Sequence, residues 1–200
     1  MQQARQRALL GLLGMLVAAT AASAWLLQGG AAGEAPTALS DRGIGPLLLN
    51  RDFDRAERRA FRAAPETAFS GLGCAGLDEI RYDGRLHGHP VGVMAMADQG
   101  RIREVEAMLY SPSQTEDRAS CVALRDAFAE PFVARFGPFE KTWEIRKPVS
   151  EELLARTGPV VLAARWFAMG RSCYVSAHYG VLDGGSVRLG ASLAGLDNTP

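Results

Sequence analysis

One stretch organises the chain: SQTEDRASCVALRDAFAEPFVARFGPFEKTW, residues 113–143. Its apolar residues recur at spacings of three and four, a pattern typical of an amphipathic helix. Ser113 and Glu116 have the capping-box spacing at the start of the helix, and Gly137, followed by a proline, ends it. Pro131 removes one internal hydrogen bond, so we expect one bent helix rather than two. The apolar stripe comprises Cys121, Leu124, Phe128, Phe132 and Phe136.

Strand patterns lie on both sides of this helix. A short helix is predicted over residues 50–64, and strands follow within residues 80–110, with a tight hairpin at Asp83-Gly84. Further strands are predicted within residues 160–193. This order predicts an α+β fold in which antiparallel sheets pack on a central helix, and two αβββ lobes are its natural interpretation.

The N-terminus has the composition of an export signal. Basic residues precede an apolar run, and the run ends in an Ala-Ser-Ala cleavage motif at positions 22–24. Residues 1–24 are therefore predicted to be a signal peptide. The alternative is a membrane anchor that extends to about residue 27, long enough for a bilayer. Membrane contact is expected only if this leader is retained.

Three segments are predicted after the leader. Residues 25–46 are rich in glycine, alanine and proline and are predicted to be a flexible linker. Residues 47–112 are predicted to form the first helix-plus-meander lobe. Residues 113–195 are predicted to form the second lobe, which contains the central helix and C-terminal hairpins.

Composition and motifs narrow the possible functions. The 22 basic residues balance the 22 acidic ones, and a pI of about 6.8 gives no indication of nucleic-acid binding. The chain contains no P-loop, no dinucleotide-binding glycine motif and no H-E-x-x-H zinc motif. No cofactor is predicted, and the sequence favours a protein that is not an enzyme.

Two histidines have a spacing that a metal site could use. His87 and His89 would project to the same side of a strand, as zinc or copper ligands could. The sequence offers no third ligand at a recognisable spacing, and the neighbouring glycine and proline indicate a turn. The two histidines are therefore only weak candidates, and no metal is predicted.

One predicted strand carries polar and aromatic side chains on alternate positions. Tyr174, Ser176 and His178 lie opposite the side that Cys173 shares, so they are expected to be exposed if Cys173 is buried. An exposed sheet face that bears a tyrosine is typical of a protein-binding surface. The same pattern also fits an ordinary solvated face.

The chain has three cysteines, which cannot all pair internally. Cys121 lies on the apolar stripe of the central helix, and Cys173 lies on a strand expected to pack beneath it. A disulfide between these two is predicted, with Cys74 left free. Pairing of Cys74 with either of the others, or three reduced thiols, remain the alternatives.

Together these patterns predict an exported protein of the cell envelope, periplasmic or secreted, or anchored to the membrane and facing the periplasm. We expect a non-catalytic binding or accessory protein that acts through a sheet face or lobe surface on an unknown protein partner. The alternative is a secreted hydrolase with an unrecognised active site.

Overall fold

The computed structural model describes residues 37–73, 76–109, 113–115 and 117–180. The fold is α+β with antiparallel strands, as the sequence predicts. In the described residues helix α1 covers Phe53–Ala63 and helix α2 covers Arg118–Phe136. The strands are β1 (Leu39–Ser40), β2 (Gly43–Ile44), β3 (Leu47–Leu48), β4 (Phe69–Leu72), β5 (Asp78–Leu86), β6 (His89–Asp98), β7 (Arg101–Leu109), β8 (Ser113–Gln114), β9 (Lys141–Arg146), β10 (Glu151–Thr157), β11 (Val160–Phe167) and β12 (Ser172–Tyr179).

The two predicted strand groups join in one sheet. Its strand order is β4-β5-β6-β7-β12-β11-β10-β9, and β8 pairs with the start of β12. β7 and β12 pair antiparallel in the middle, from Met108 opposite Ser176 to Val105 opposite Tyr179. The strands of the two predicted lobes therefore form the two halves of a single sheet. In each half of the chain, one helix is followed by a four-stranded meander. Sequence patterns do not reveal such pairing, because it joins strands about seventy residues apart.

Helix α2 ends where the sequence predicts but begins later. Asp117 is its N-cap, and its carboxylate accepts the Ser120 N–H at 2.8 Å. That hydrogen bond lowers the pKa of Asp117. The predicted capping box is wrong, since Ser113 belongs to β8. Gly137 stops the helix with a φ of 98°, and Pro131 lies inside one continuous helix.

Both helices pack on the same side of the sheet, here called face A. Face A carries Cys173, Val175, Ala177 and Tyr179 of β12 and the residues in register with them. The core on this face also includes side chains from both helices and from the small β1–β3 sheet: Ile44, Leu47, Ala56, Ala60, Cys121, Phe128 and Phe132. Burial raises the pKa of Tyr179 far above its usual range, so this hydroxyl stays neutral at neutral pH.

The predicted hairpin at Asp83-Gly84 is wrong, because β5 continues through both residues. The chain turns instead at His87 and Gly88, with φ values of 49° and 85°. Leu86 and His89 close this turn as partners in register. Two consecutive residues with positive φ are what a tight hairpin needs, and strand pairing decides which residues supply them.

Part of the predicted linker is structured. Within residues 37–46 the chain forms β1 and β2, and Ile44 is completely buried in the core. The apolar residues just after that segment, Leu47 and Leu48, form β3 and extend the small sheet. Glycine and proline in this segment form turns between very short strands. The prediction of a flexible linker, which was based on composition alone, is therefore wrong for residues 37–46. The predicted signal peptide, residues 1–24, and Cys74 lie outside the described residues. None of the described helices has the length and apolar character needed to cross a membrane.

Cys121 of α2 and Cys173 of β12 form a disulfide, with their Cα atoms 5.5 Å apart. The predicted pairing is therefore confirmed. Both residues are buried at the interface between the helix and the sheet. The disulfide fixes α2 to the strand that joins the two halves of the sheet.

Reducing this disulfide is expected to lower the free energy of unfolding by about 4 kcal/mol, because it closes a long loop in the unfolded chain. Denaturant unfolding of oxidised and reduced protein measures the difference, in a Cys74→Ser background that prevents thiol exchange. A protein with Cys121→Ala and Cys173→Ala is the control and should match the reduced protein. Equal stability of the oxidised and reduced forms would contradict this account.

Candidate ligand-binding site

The opposite side of the sheet, here called face B, carries the residues predicted to form a binding surface. Tyr174, Ser176 and His178 do lie on this face, in register with alternate residues of β11. Tyr174 is half-buried, and its ring lies 5.6 Å from that of Phe167. Ser176 and His178 are completely buried, so their predicted exposure is wrong.

The burial of His178 has a specific chemical basis. Its Nε2 lies 2.6 Å from the Ser176 hydroxyl oxygen and 3.6 Å from a carboxylate oxygen of Glu106. Its Nδ1 lies 3.3 Å from a carboxylate oxygen of Glu104. Buried polar groups are stable when they bond to one another, and β7 supplies the two carboxylates that β12 needs. The alternation of β12 alone does not predict those partners.

A second buried polar group lies on face B at the other half of the sheet. Arg165 of β11 pairs with Glu152 of β10, which is completely buried and also lies 2.9 Å from the Lys147 ammonium nitrogen. Next to this group is a small apolar cluster of Leu154, Val161 and Ala163, against which Trp143 and Ile145 pack. Face B is therefore mixed in character, unlike the apolar face A.

A cavity of about 410 Å³ opens on face B over β4–β7. The strands place Gly92 between Asp83 on one side and Met108 on the other, in one row across the sheet. The neighbouring row contains Phe69, Arg81, Met94 and Glu106. All of these residues line the cavity, and Glu79 lines it as well.

Gly92 leaves open space in the cavity where other residues would place a side chain. A Cβ atom built on Gly92 would have no heavy atom within 4 Å, so the space above the strand is open. A glycine inside a strand weakens the sheet and often marks close approach of a ligand or another backbone. The glycine is visible in the strand sequence HPVGVMAMAD. It indicates a cavity only once the neighbouring strands are known.

Charged groups form part of the cavity wall. Glu79, Asp83 and Glu106 line it together with one guanidinium, that of Arg81. The Arg81 guanidinium carbon lies 4.8 Å from the ring centroid of Phe69, its partner in register on β4. Glu106 both lines the cavity and approaches His178, so the cavity adjoins the buried polar group.

The weak metal candidates lie elsewhere. His87 is an exposed turn residue and His89 is the first residue of β6, so they are not two positions on one strand face. Across the described ranges, no group of three or more histidine, cysteine, aspartate or glutamate side chains could hold a metal ion.

Comparison with known protein families, curated proteins and solved structures finds no match to this chain. No relative supplies a function, so any function has to follow from the chemistry of the site itself.

Substitution Ser176→Ala is expected to lower the free energy of unfolding by about 1–2 kcal/mol, because it leaves His178 without its nearest partner. Ser172→Ala is the matched control: Ser172 lies on the same face and is half-buried, and its hydroxyl makes no hydrogen bond among the described residues, so we expect a change within about 0.5 kcal/mol. Denaturant unfolding measures both.

A separate labelling experiment tests whether Ser176 acts as a nucleophile. A fluorophosphonate reagent is expected to leave Ser176 unlabelled, because the side chain is completely buried. Covalent labelling of Ser176, detected by peptide mass spectrometry, would contradict a purely structural role.

Proposed function

We propose that this chain is an exported, non-catalytic binding protein of the cell envelope that takes a small molecule into the cavity on face B. The observation that carries the proposal is the cavity of about 410 Å³, with Gly92 in its floor. Ligand sites of small molecules typically have volumes of roughly 300–1,000 Å³ and combine apolar walls with a few polar groups. The cavity has both features.

The cavity favours a small molecule over the protein partner expected from the sequence. Ser176 and His178, which were expected to contact that partner, are buried. Large exposed apolar side chains of the described residues are Phe61, Phe69, Leu72, Val149 and Met169. Phe61 lies on α1, Phe69 and Leu72 belong to β4, and Val149 and Met169 line another pocket together. Exposed apolar residues in such small numbers are ordinary on a protein surface.

Two features support location outside the cytoplasm. The N-terminal sequence has the basic, apolar and cleavage-site parts of an export signal. The Cys121–Cys173 disulfide fits an oxidising compartment, where such bonds persist. Both agree with a periplasmic or secreted protein, and retention of the leader would anchor the same protein to the membrane.

The alternative proposal, a secreted hydrolase, is favoured by one observation. Ser176, His178 and Glu104 form a chain of contacts in the order that a nucleophile, a base and an orienting carboxylate require. Ser176 is completely buried and is not among the residues that line the cavity, so a substrate would not reach it. A binding role for face B is therefore the stronger proposal.

Filling the cavity is expected to abolish binding while the fold remains intact. Gly92→Phe projects a ring into open space, and it should lower the affinity for the neutral fluorophore N-phenyl-1-naphthylamine by more than about tenfold. Fluorescence titration measures the affinity, and thermal unfolding checks the fold.

Gly92→Ala is the graded control, since a single methyl group leaves most of the cavity open and should change the affinity by less than about threefold. Its melting temperature should not fall, because alanine restricts the unfolded chain more than glycine does. Wild-type protein that does not bind the fluorophore, or Gly92→Phe protein that binds it unchanged, would contradict the proposal.

A further inference from the structure

We infer that the ligand of the face B cavity is a small organic ammonium ion with an apolar body. This inference rests on the proposed function and adds the chemical class of the ligand. The ammonium group would lie beside Glu79, and the apolar body would lie on Phe69 and the methionines Met94 and Met108.

Glu79 is the residue that carries the inference. It projects from β5 onto face B, lines the cavity and is only 8% exposed. Among the described residues, no hydrogen bond or ion pair reaches its carboxylate. Its oxygens are not among the fully buried polar atoms, so a ligand in the cavity can reach them. A cation bound in the cavity would pair with this carboxylate.

Most of the charged side chains that line the cavity are negative. Among the described residues that line the cavity, Glu79, Asp83 and Glu106 carry carboxylates and Arg81 carries a guanidinium. Glu106 is 2% exposed, so water screens its charge only weakly. Arg81 is itself held over the Phe69 ring. The resulting potential attracts a cation and repels an anion.

The remaining wall favours an organic cation over a hydrated metal ion. Phe69 is 49% exposed, so part of its ring remains open to a ligand although the Arg81 guanidinium lies over it, and an aromatic ring attracts a cation. Met94 and Met108 add flexible apolar contacts that adapt to a ligand's shape. The carboxylates are not grouped as metal ligands in the described part of the chain. An ammonium group would pair with the carboxylates of the cavity, and an apolar body would contact its aromatic and methionine side chains.

Three probes with one apolar body separate the effect of charge from that of shape. Displacement of N-phenyl-1-naphthylamine is measured at neutral pH with 4-phenylbutylamine, 4-phenylbutanol and 4-phenylbutyrate. The amine is expected to bind about tenfold more tightly than the alcohol, because its ammonium group pairs with the Glu79 carboxylate. The carboxylate probe should bind most weakly.

Variant Glu79→Gln tests the assigned partner. It should weaken amine binding by about tenfold and change alcohol binding by less than about twofold, since only the ion pair is lost. Asp98→Asn is the control: it removes one negative charge from the exposed end of face B, outside the cavity, and should leave all three affinities unchanged.

The outcomes distinguish this inference from the proposed function. Equal displacement by all three probes, preference for 4-phenylbutyrate, or amine binding that Glu79→Gln does not weaken would overturn the ammonium assignment while leaving the cavity a binding site. Failure of the fluorophore and of every probe to bind would overturn both.

Discussion

The pairing of β7 with β12 is the constraint on which the rest of the structure depends. These strands are the middle pair of the order β4-β5-β6-β7-β12-β11-β10-β9, and their hydrogen bonds convert two meanders into one sheet. The same register places Met108 beside Ser176 and Glu106 beside His178. A shift of one residue would turn these side chains to the opposite face. The buried polar group of His178, and its position beside the cavity residues Glu106 and Met108, depend on this one register.

The two faces of the sheet differ in what they contribute. Face A carries both helices, the disulfide and a core that is almost wholly apolar, so it supplies most of the stabilisation by burial. Face B buries polar groups such as Glu79, Glu152 and His178, which stabilise a fold less well than apolar side chains. A fold stabilised on one face can retain costly groups on the other where function requires them. This difference is the reason for assigning binding to face B.

The sequence predicted those features that follow from local rules. The helix stop at Gly137 depends on local backbone geometry, and the disulfide follows from the apolar faces of one helix and one strand. Predictions from the sequence were wrong where the structure of a segment depends on pairing with a strand distant in the chain. The hairpin lies at His87 because pairing with β6 carries β5 through its Asp-Gly pair, and His178 is buried because β7 provides its carboxylate partners. The cavity above Gly92 exists only between strands, so no single stretch predicts it.

Methionine-methyl NMR tests the central claim, binding in the cavity on face B, most directly. Met94 and Met108 line the cavity, whereas Met169 is 95% exposed and lies outside it. During titration with 4-phenylbutylamine, the account predicts saturable shifts of the Met94 and Met108 methyl signals and an unchanged Met169 signal. Saturable binding that leaves Met94 and Met108 unchanged would place the ligand elsewhere and contradict the account.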